Sequence, residues 1–163
     1  MNRLQHGFTM AEMMAVLAVI AILSMMAIPS FQDRIVRQQI ESGLPLADLA
    51  KPPIAAAWAA DKPLPVNNEA AGLPPAEKIV NNHVSAVTVN NGAIDVTFGN
   101  SAHKAISGKI LTLRPAVVED ARIVPVAWVC GNAEAPEKMT LKGTNQTNIP
   151  STFLPVACRA IKR

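Results

Sequence analysis

The residues of this chain able to do chemistry are few and widely spaced: three histidines, two cysteines, and one carboxylate set inside a long apolar run. The histidines, His6, His83 and His103, have no carboxylates around them at metal-ligand spacing, so each reads as a surface histidine. No Gly-rich loop follows a strand to cradle a phosphate, and no Gly-x-Ser-x-Gly presents a nucleophile. Cys130 and Cys158 are too far apart for a Cys-x-x-Cys redox pair or a zinc knuckle. Catalytic, metal and cofactor motifs are therefore missing from the sequence, which does not read as an enzyme. Asn145-Gln146-Thr147 fits a glycosylation sequon, a pattern too short to carry weight. What remains is Glu12, the only ionisable side chain between Phe8 and Phe31.

The element around Glu12 explains why that carboxylate matters. From Met13 to Ile28 every residue except Ser24 is apolar. As a helix, the stretch from Phe8 to Phe31 would be about 36 Å long, enough to cross a bilayer. Arg3 lies on its N-terminal side, so the positive-inside bias puts the short head in the cytoplasm and the rest of the chain outside. A cleaved secretory signal would end in an Ala-x-Ala pattern, and Met25-Met26-Ala27-Ile28-Pro29-Ser30 is a poor match. A plain anchor accounts for length and orientation but gives no reason for a carboxylate one turn inside the lipid. Glu12 is expected to have a partner.

Gly7, Phe8, Thr9 and Glu12, followed by the unbroken apolar helix, resemble the leader and first helix of a type IV prepilin. The resemblance implies a leader, residues 1–7, cut after Gly7 by a membrane aspartyl peptidase that then N-methylates Phe8. Residues 8–31 would stay on the mature protein, first as membrane anchor and then as the helical core of a filament. Glu12 would pair there with the amine of Phe8, in its own subunit or an adjacent one.

Composition agrees with one domain plus an anchor: 163 residues, a net charge of only +3, and thirteen prolines that imply a loop-rich outer part. Past Pro29, expected to kink the helix, Val36, Ile40, Leu44, Ala47, Ile54 and Trp58 fall near one face. The pattern predicts one long helix from Phe8 to about Ala60, apolar all round in its first half and amphipathic in its second. Gly43, Pro45 and Pro52-Pro53 weaken its continuity. Residues 61–77 read as a connecting loop. Val84–Val89 and Ile94–Phe98, around Asn90-Asn91-Gly92, read as a hairpin in which Asp95 and Thr97 alternate with apolar residues. Ile110–Arg114 and Ile123–Cys130 are two further strands, limited by Pro115 and Pro125. Phe98 and Trp128 are assigned to the face that meets Ile54 and Trp58.

Joining Cys130 to Cys158, on the exported side where disulfides persist, would tie down a C-terminal segment with little core of its own. On the chain-entropy model the link stabilises the fold by roughly 3 to 4 kcal/mol. Trp128-Val129-Cys130, and Ile149 to Pro155 before Cys158-Arg159, also resemble the disulfide-bounded end of type IV major pilins. The expected fold is α+β: a long N-terminal helix on a four-stranded antiparallel sheet, with the head spanning 32–163 and the disulfide region 130–158. The resemblance implies a subunit of a type IV pilus that polymerises with its own kind. It also implies the prepilin peptidase, an inner-membrane platform with its ATPases, and an outer-membrane pore as partners. Twitching motility, adhesion and DNA uptake are what such fibres do. The alternatives are a minor pilin, a pseudopilin of type II secretion, or an anchored periplasmic enzyme or binding protein. A nucleic-acid partner has no support beyond Arg159, Lys162 and Arg163, which read more simply as a solvated basic tail.

Overall fold

Apolar spacing and proline placement set the helices. The computed structural model describes residues 7–160, with only the backbone described for 26–31. Arg3, His6, Lys162 and Arg163 thus lie outside the described residues. Helix α1 spans Met10–Ala47 and α2 spans Lys51–Ala59. The expected single helix to Ala60 is therefore two. Pro52 and Pro53 have no N–H to return to the carbonyls of Asp48 and Leu49, so the α ladder cannot pass this point. The chain closes α1 with tighter bonds, Leu49 N–H to Leu46 O at 3.4 Å and Ala50 N–H to Ala47 O at 3.0 Å. The two prolines then occupy the first turn of α2, where a missing donor costs nothing. At Pro29 the helical assignment continues, and its side chain lies outside the description.

Packing divides the chain into two units, Met1–Ile35 and Val36–Arg163. In the first, every described side chain from Met10 to Met25 is exposed. Ser24, the one hydroxyl of the apolar stretch, donates to Ile20 O at 2.8 Å and so hides its polarity within the helix. Among the described residues no helix is long and apolar enough to cross a membrane. The apolar sequence itself runs on through 26–31, whose side chains lie outside the description.

The second unit is a helix-on-sheet layer. Strands β1 (Val84–Asn90), β2 (Ala93–Phe98), β3 (Ile110–Val117), β4 (Ala127–Cys130) and β5 (Thr140–Leu141) form one antiparallel sheet in the order β1-β2-β3-β4. β5 pairs with β3 on the side opposite β4, beyond the start of β2, which makes five strands rather than the expected four. Two residues are too few to show a period, so β5 left no trace in the sequence pattern. β1 and β2 turn through Asn91 and Gly92, both at positive φ, the backbone that a two-residue hairpin with right-handed strand twist requires.

Trp58 is buried outside the main core cluster, with the guanidinium of Arg122 3.5 Å from its ring centre, whereas Val36, Ile40, Ala47 and Ile54 lie buried on the sheet with Val84, Val87, Val96, Phe98 and Leu111. Gly43 makes their close approach possible: a Cβ there would stand 2.8 Å from Val84 Cγ2 and 3.0 Å from Phe98 Cε1. Trp128 is only partly buried, at the margin of this core, rather than at its centre beside Phe98. β4 begins at Ala127, later than the expected Ile123, and Ile123 is 94 % exposed. β3 runs on past Arg114, because Pro115 needs only its carbonyl, which accepts from Lys142 N–H at 2.9 Å.

β2 departs from the alternation its sequence suggests. Asp95 is 4 % exposed, because the segment 143–148 covers the second face of the sheet. Gly143 presses on Ala93, and Gln146 N–H donates to Thr112 Oγ1 at 2.9 Å. Thr112 in turn donates to Asp95 Oδ1 at 2.6 Å.

Candidate functional site

The N-terminal residues singled out by sequence lie together at the start of α1. Thr9 precedes the first helical residue, Met10, and Glu12 is the third residue of the helix. A helix start leaves its first N–H groups without intrahelical acceptors, so a side-chain oxygen at Thr9 and a carboxylate three positions on can close the end reciprocally. Thr9 N–H donates to Glu12 Oε2 at 2.9 Å, Thr9 Oγ1 donates to the same oxygen at 2.8 Å, and Glu12 N–H returns to Thr9 Oγ1 at 3.3 Å. The negative charge also sits where the helix dipole favours it. The Thr-x-x-Glu spacing that signals this capping box was available in the sequence.

In the chain as it stands the Glu12 carboxylate is held by Thr9 rather than by the amine expected to pair with it. The peptide N–H that holds the carboxylate belongs to the residue directly after Phe8. Gly7 and Phe8 are exposed, and a Cβ built on Gly7 would meet no atom within 4 Å. The peptide bond between them is therefore exposed.

At the other end of the chain Cys130 and Cys158 form a disulfide with Cα atoms 4.6 Å apart. It joins the end of β4 to a single 3-10 turn, Val156–Cys158. Gly131, at φ 57°, lets the chain turn at once: its N–H reaches Thr112 O at 2.8 Å, and a Cβ there would lie 2.8 Å from Cys158 O. The disulfide is one of several ties holding the C-terminal segment to the sheet.

The histidines are not brought together. His83 precedes β1 with its backbone N–H on Asn81 Oδ1, and His103 lies in the loop after β2 with its backbone N–H on Gln39 Oε1. Among the described residues no three His, Cys, Asp or Glu side chains form a group able to hold a metal ion. An open cleft of about 520 Å3 lies over the loop before β1, flanked by Glu69 and Glu77. The amide of Asn68 on its wall is committed to backbone: Nδ2 donates to Pro74 O and Val87 O at 3.0 and 2.9 Å, and Oδ1 accepts from Val89 N–H at 2.6 Å. Sequence reading missed Asn68, since one of two adjacent asparagines in a Pro-rich loop gives no sign of its task.

An exposed apolar helix with a capped, accessible N-terminus, joined to a disulfide-tied α+β head, defines a class of filament subunit. Residues 36–159 match the family described as Pilin (bacterial filament), and residues 2–28 match the prokaryotic N-terminal methylation motif. The chain belongs to the pilin family. It is 34 % identical to a type IV major pilin protein PilE1 of Neisseria gonorrhoeae, over 98 % of this chain and 89 % of that one. A fimbrial protein of Neisseria meningitidis is 33 % identical over 98 % of this chain and 96 % of its own length. The type IV major fimbrial protein FimA of Dichelobacter nodosus is 28 % identical over 99 % of this chain and all of its own length.

Proposed function

We propose that this chain is the precursor of the major structural subunit of a type IV pilus. The observation that carries the reading is α1: its first part is apolar all round yet left uncovered by its own chain. A helix of that kind needs lipid or other helices around it. Before assembly it anchors the subunit in the inner membrane, with the head outside. On assembly the same surface passes from lipid to neighbouring helices, so little hydrophobic energy is lost. Prepilin peptidase cuts between Gly7 and Phe8 and the new terminus is N-methylated. The freed amine then lies one peptide unit from the N–H that already holds Glu12, so the carboxylate is poised to pair with it or with that of an incoming subunit. An inner-membrane platform, its ATPases and an outer-membrane pore complete the route to the surface. Twitching, adhesion and DNA uptake are the activities such a fibre would serve.

Processing tests this directly. Intact mass of the protein from cells should correspond to a chain beginning at N-methylated Phe8, and Gly7→Leu should leave the uncut precursor. A mature chain retaining Met1, or one beginning after Ala27, would reject the pilin precursor reading. Imaging cells with and without the gene separates the roles: loss of all fibres marks a major subunit, unchanged fibres a minor one.

A further inference from the structure

We propose that the cleft beside the C-terminal disulfide binds a phosphate monoester, gripped by the guanidinium of Arg159 on its wall and attracted by that of Arg37, which shares a carbonyl partner with Arg159. Arg37 Nε and Nη2 donate to Thr152 O at 3.2 and 2.8 Å. Arg159 Nη2 donates to the same oxygen at 3.3 Å, while its Nε holds Leu154 O at 2.8 Å. Two cations, one from α1 and one from the end of the chain, therefore converge on a single neutral carbonyl. That oxygen cannot neutralise them, and their mutual repulsion favours an anion nearby. Among the described residues no carboxylate forms an ion pair with either arginine. Each guanidinium has five N–H groups in a planar fork, so both retain donors beyond those used on the backbone.

Beside them opens a cleft of about 500 Å3 lined by Asn132, Ser151, Thr152, Arg159 and Ala160. Among the described residues its lining carries hydroxyls and an amide and no acidic residue. Asn132 Oδ1 is occupied by Asn145 Nδ2 at 2.9 Å, which leaves the amino group of Asn132 to donate. A phosphate monoester carries about −1.5 to −2 charges at neutral pH and three acceptor oxygens. It matches two guanidiniums, whereas a single carboxylate would offset only one. The cleft is of the size that takes a small organic ligand rather than a bare ion. Its hydroxyl and amide lining suits a hydroxylated alcohol, such as a sugar, as the esterified part.

The site lies within Val36–Arg163 and can be assayed on unassembled protein, so its failure would leave the fibre role untouched. The full chain in an uncharged detergent is titrated with glucose 6-phosphate, inorganic phosphate and acetate at low salt, followed by 31P NMR and competition. Saturable binding in the order ester, then inorganic phosphate, then acetate is expected. Ser151→Glu sets a carboxylate in the cleft without touching either arginine. It should weaken the ester at least tenfold without lowering the urea midpoint, and Arg159→Gln should weaken it similarly. No saturable binding, equal binding by the Ser151→Glu protein, or acetate as effective as the ester would each overturn the proposal. Inorganic phosphate binding as tightly as the ester would overturn its assignment to a monoester.

Discussion

At Glu12 one carboxylate has an observed role and a proposed one that substitution can separate. It closes the helix start with Thr9, and in the proposed mature chain it would be the first carboxylate beyond the new amine of Phe8. Gln in place of Glu keeps an oxygen for the Thr9 donors and so keeps the capping box, but it removes the charge. Ala removes both. If charge pairing sets the register of an incoming subunit, Glu12→Gln and Glu12→Ala should both lower sheared fibre yield roughly tenfold or more. Cell-associated pilin, read by immunoblot, should stay normal in the Gln variant. Normal fibre yield from that variant would reject the pairing and leave capping as the role of Glu12. Asp95 is the other carboxylate with a readable consequence. Burial between β2 and the covering segment pushes it above the usual carboxylate range, against hydrogen bonds from Thr112 and Asn90 that favour the ionised form. The folded protein therefore holds this proton more tightly than the unfolded chain. Stability from Asp95 is full below its ordinary value and is lost as pH rises through the raised one. Asp95→Asn keeps the acceptor for Thr112, and the Asn90 amide can turn to accept from the new donor. The variant should unfold at higher urea than the native protein at pH 7, with the gap closing toward pH 4. A gap that does not change with pH would refute the assignment.

Among the elements, the edge of the sheet shows most plainly what lies beyond a sequence pattern. β1 is an edge strand, and unpaired edges invite other strands. Asn68 answers Val87 O and Val89 N–H as a neighbouring strand's peptide would. Asn68→Ala leaves both groups open and should cost about 2–6 kcal/mol, since each unmet buried group costs about 1–3 kcal/mol. Urea unfolding and light scattering would measure it, with faster aggregation expected as well. An unchanged midpoint would mean that water or the loop backbone takes over the bonds. The hairpin β1–β2 and the buried face of the helices were legible because Val, Ile and Phe recur at the right periods around an Asn-Gly turn. What was not legible depends on contacts distant in sequence. Asp95 looks solvent-facing until residues 143–148 fold over it. β5 exists only because β3 runs past the start of β2 and offers Ala116 and Val117 to it. The interruption at 48–50 was foreshadowed by Pro52 and Pro53, yet its position depends on where the last i−3 bonds of α1 close. Glu12 stood out for being alone in its run, but its bond to Thr9 needed a capping box to be noticed three residues away.

For the whole molecule, the division at Ile35 and Val36 places the proposed processing site and the stability of the head in different units. The N-terminal unit carries Gly7, Phe8 and Glu12, and none of its described side chains from Met10 to Met25 is buried. The head carries the sheet, the core and the disulfide. Replacing both Cys130 and Cys158 by Ser frees the loop they close, which on the chain-entropy model removes roughly 3–4 kcal/mol of stability. The remaining ties are substantial. Asn132 N–H stays on Cys158 O, Ile110 N–H on Asn148 Oδ1, and Arg37 on Thr152 O. The double variant should therefore still fold, with unchanged helical signal and a lower urea midpoint. Protease should cut first within the freed segment, because its own core is slight. Processing should not change: intact mass should still show the chain beginning at Phe8, since the cleavage site is far along the sequence and exposed. A double variant that accumulates as uncut precursor would show that the peptidase senses the state of the head, and the two units would then not be functionally independent. A midpoint equal to that of the native protein would show instead that the backbone and arginine ties alone hold the C-terminal segment in place.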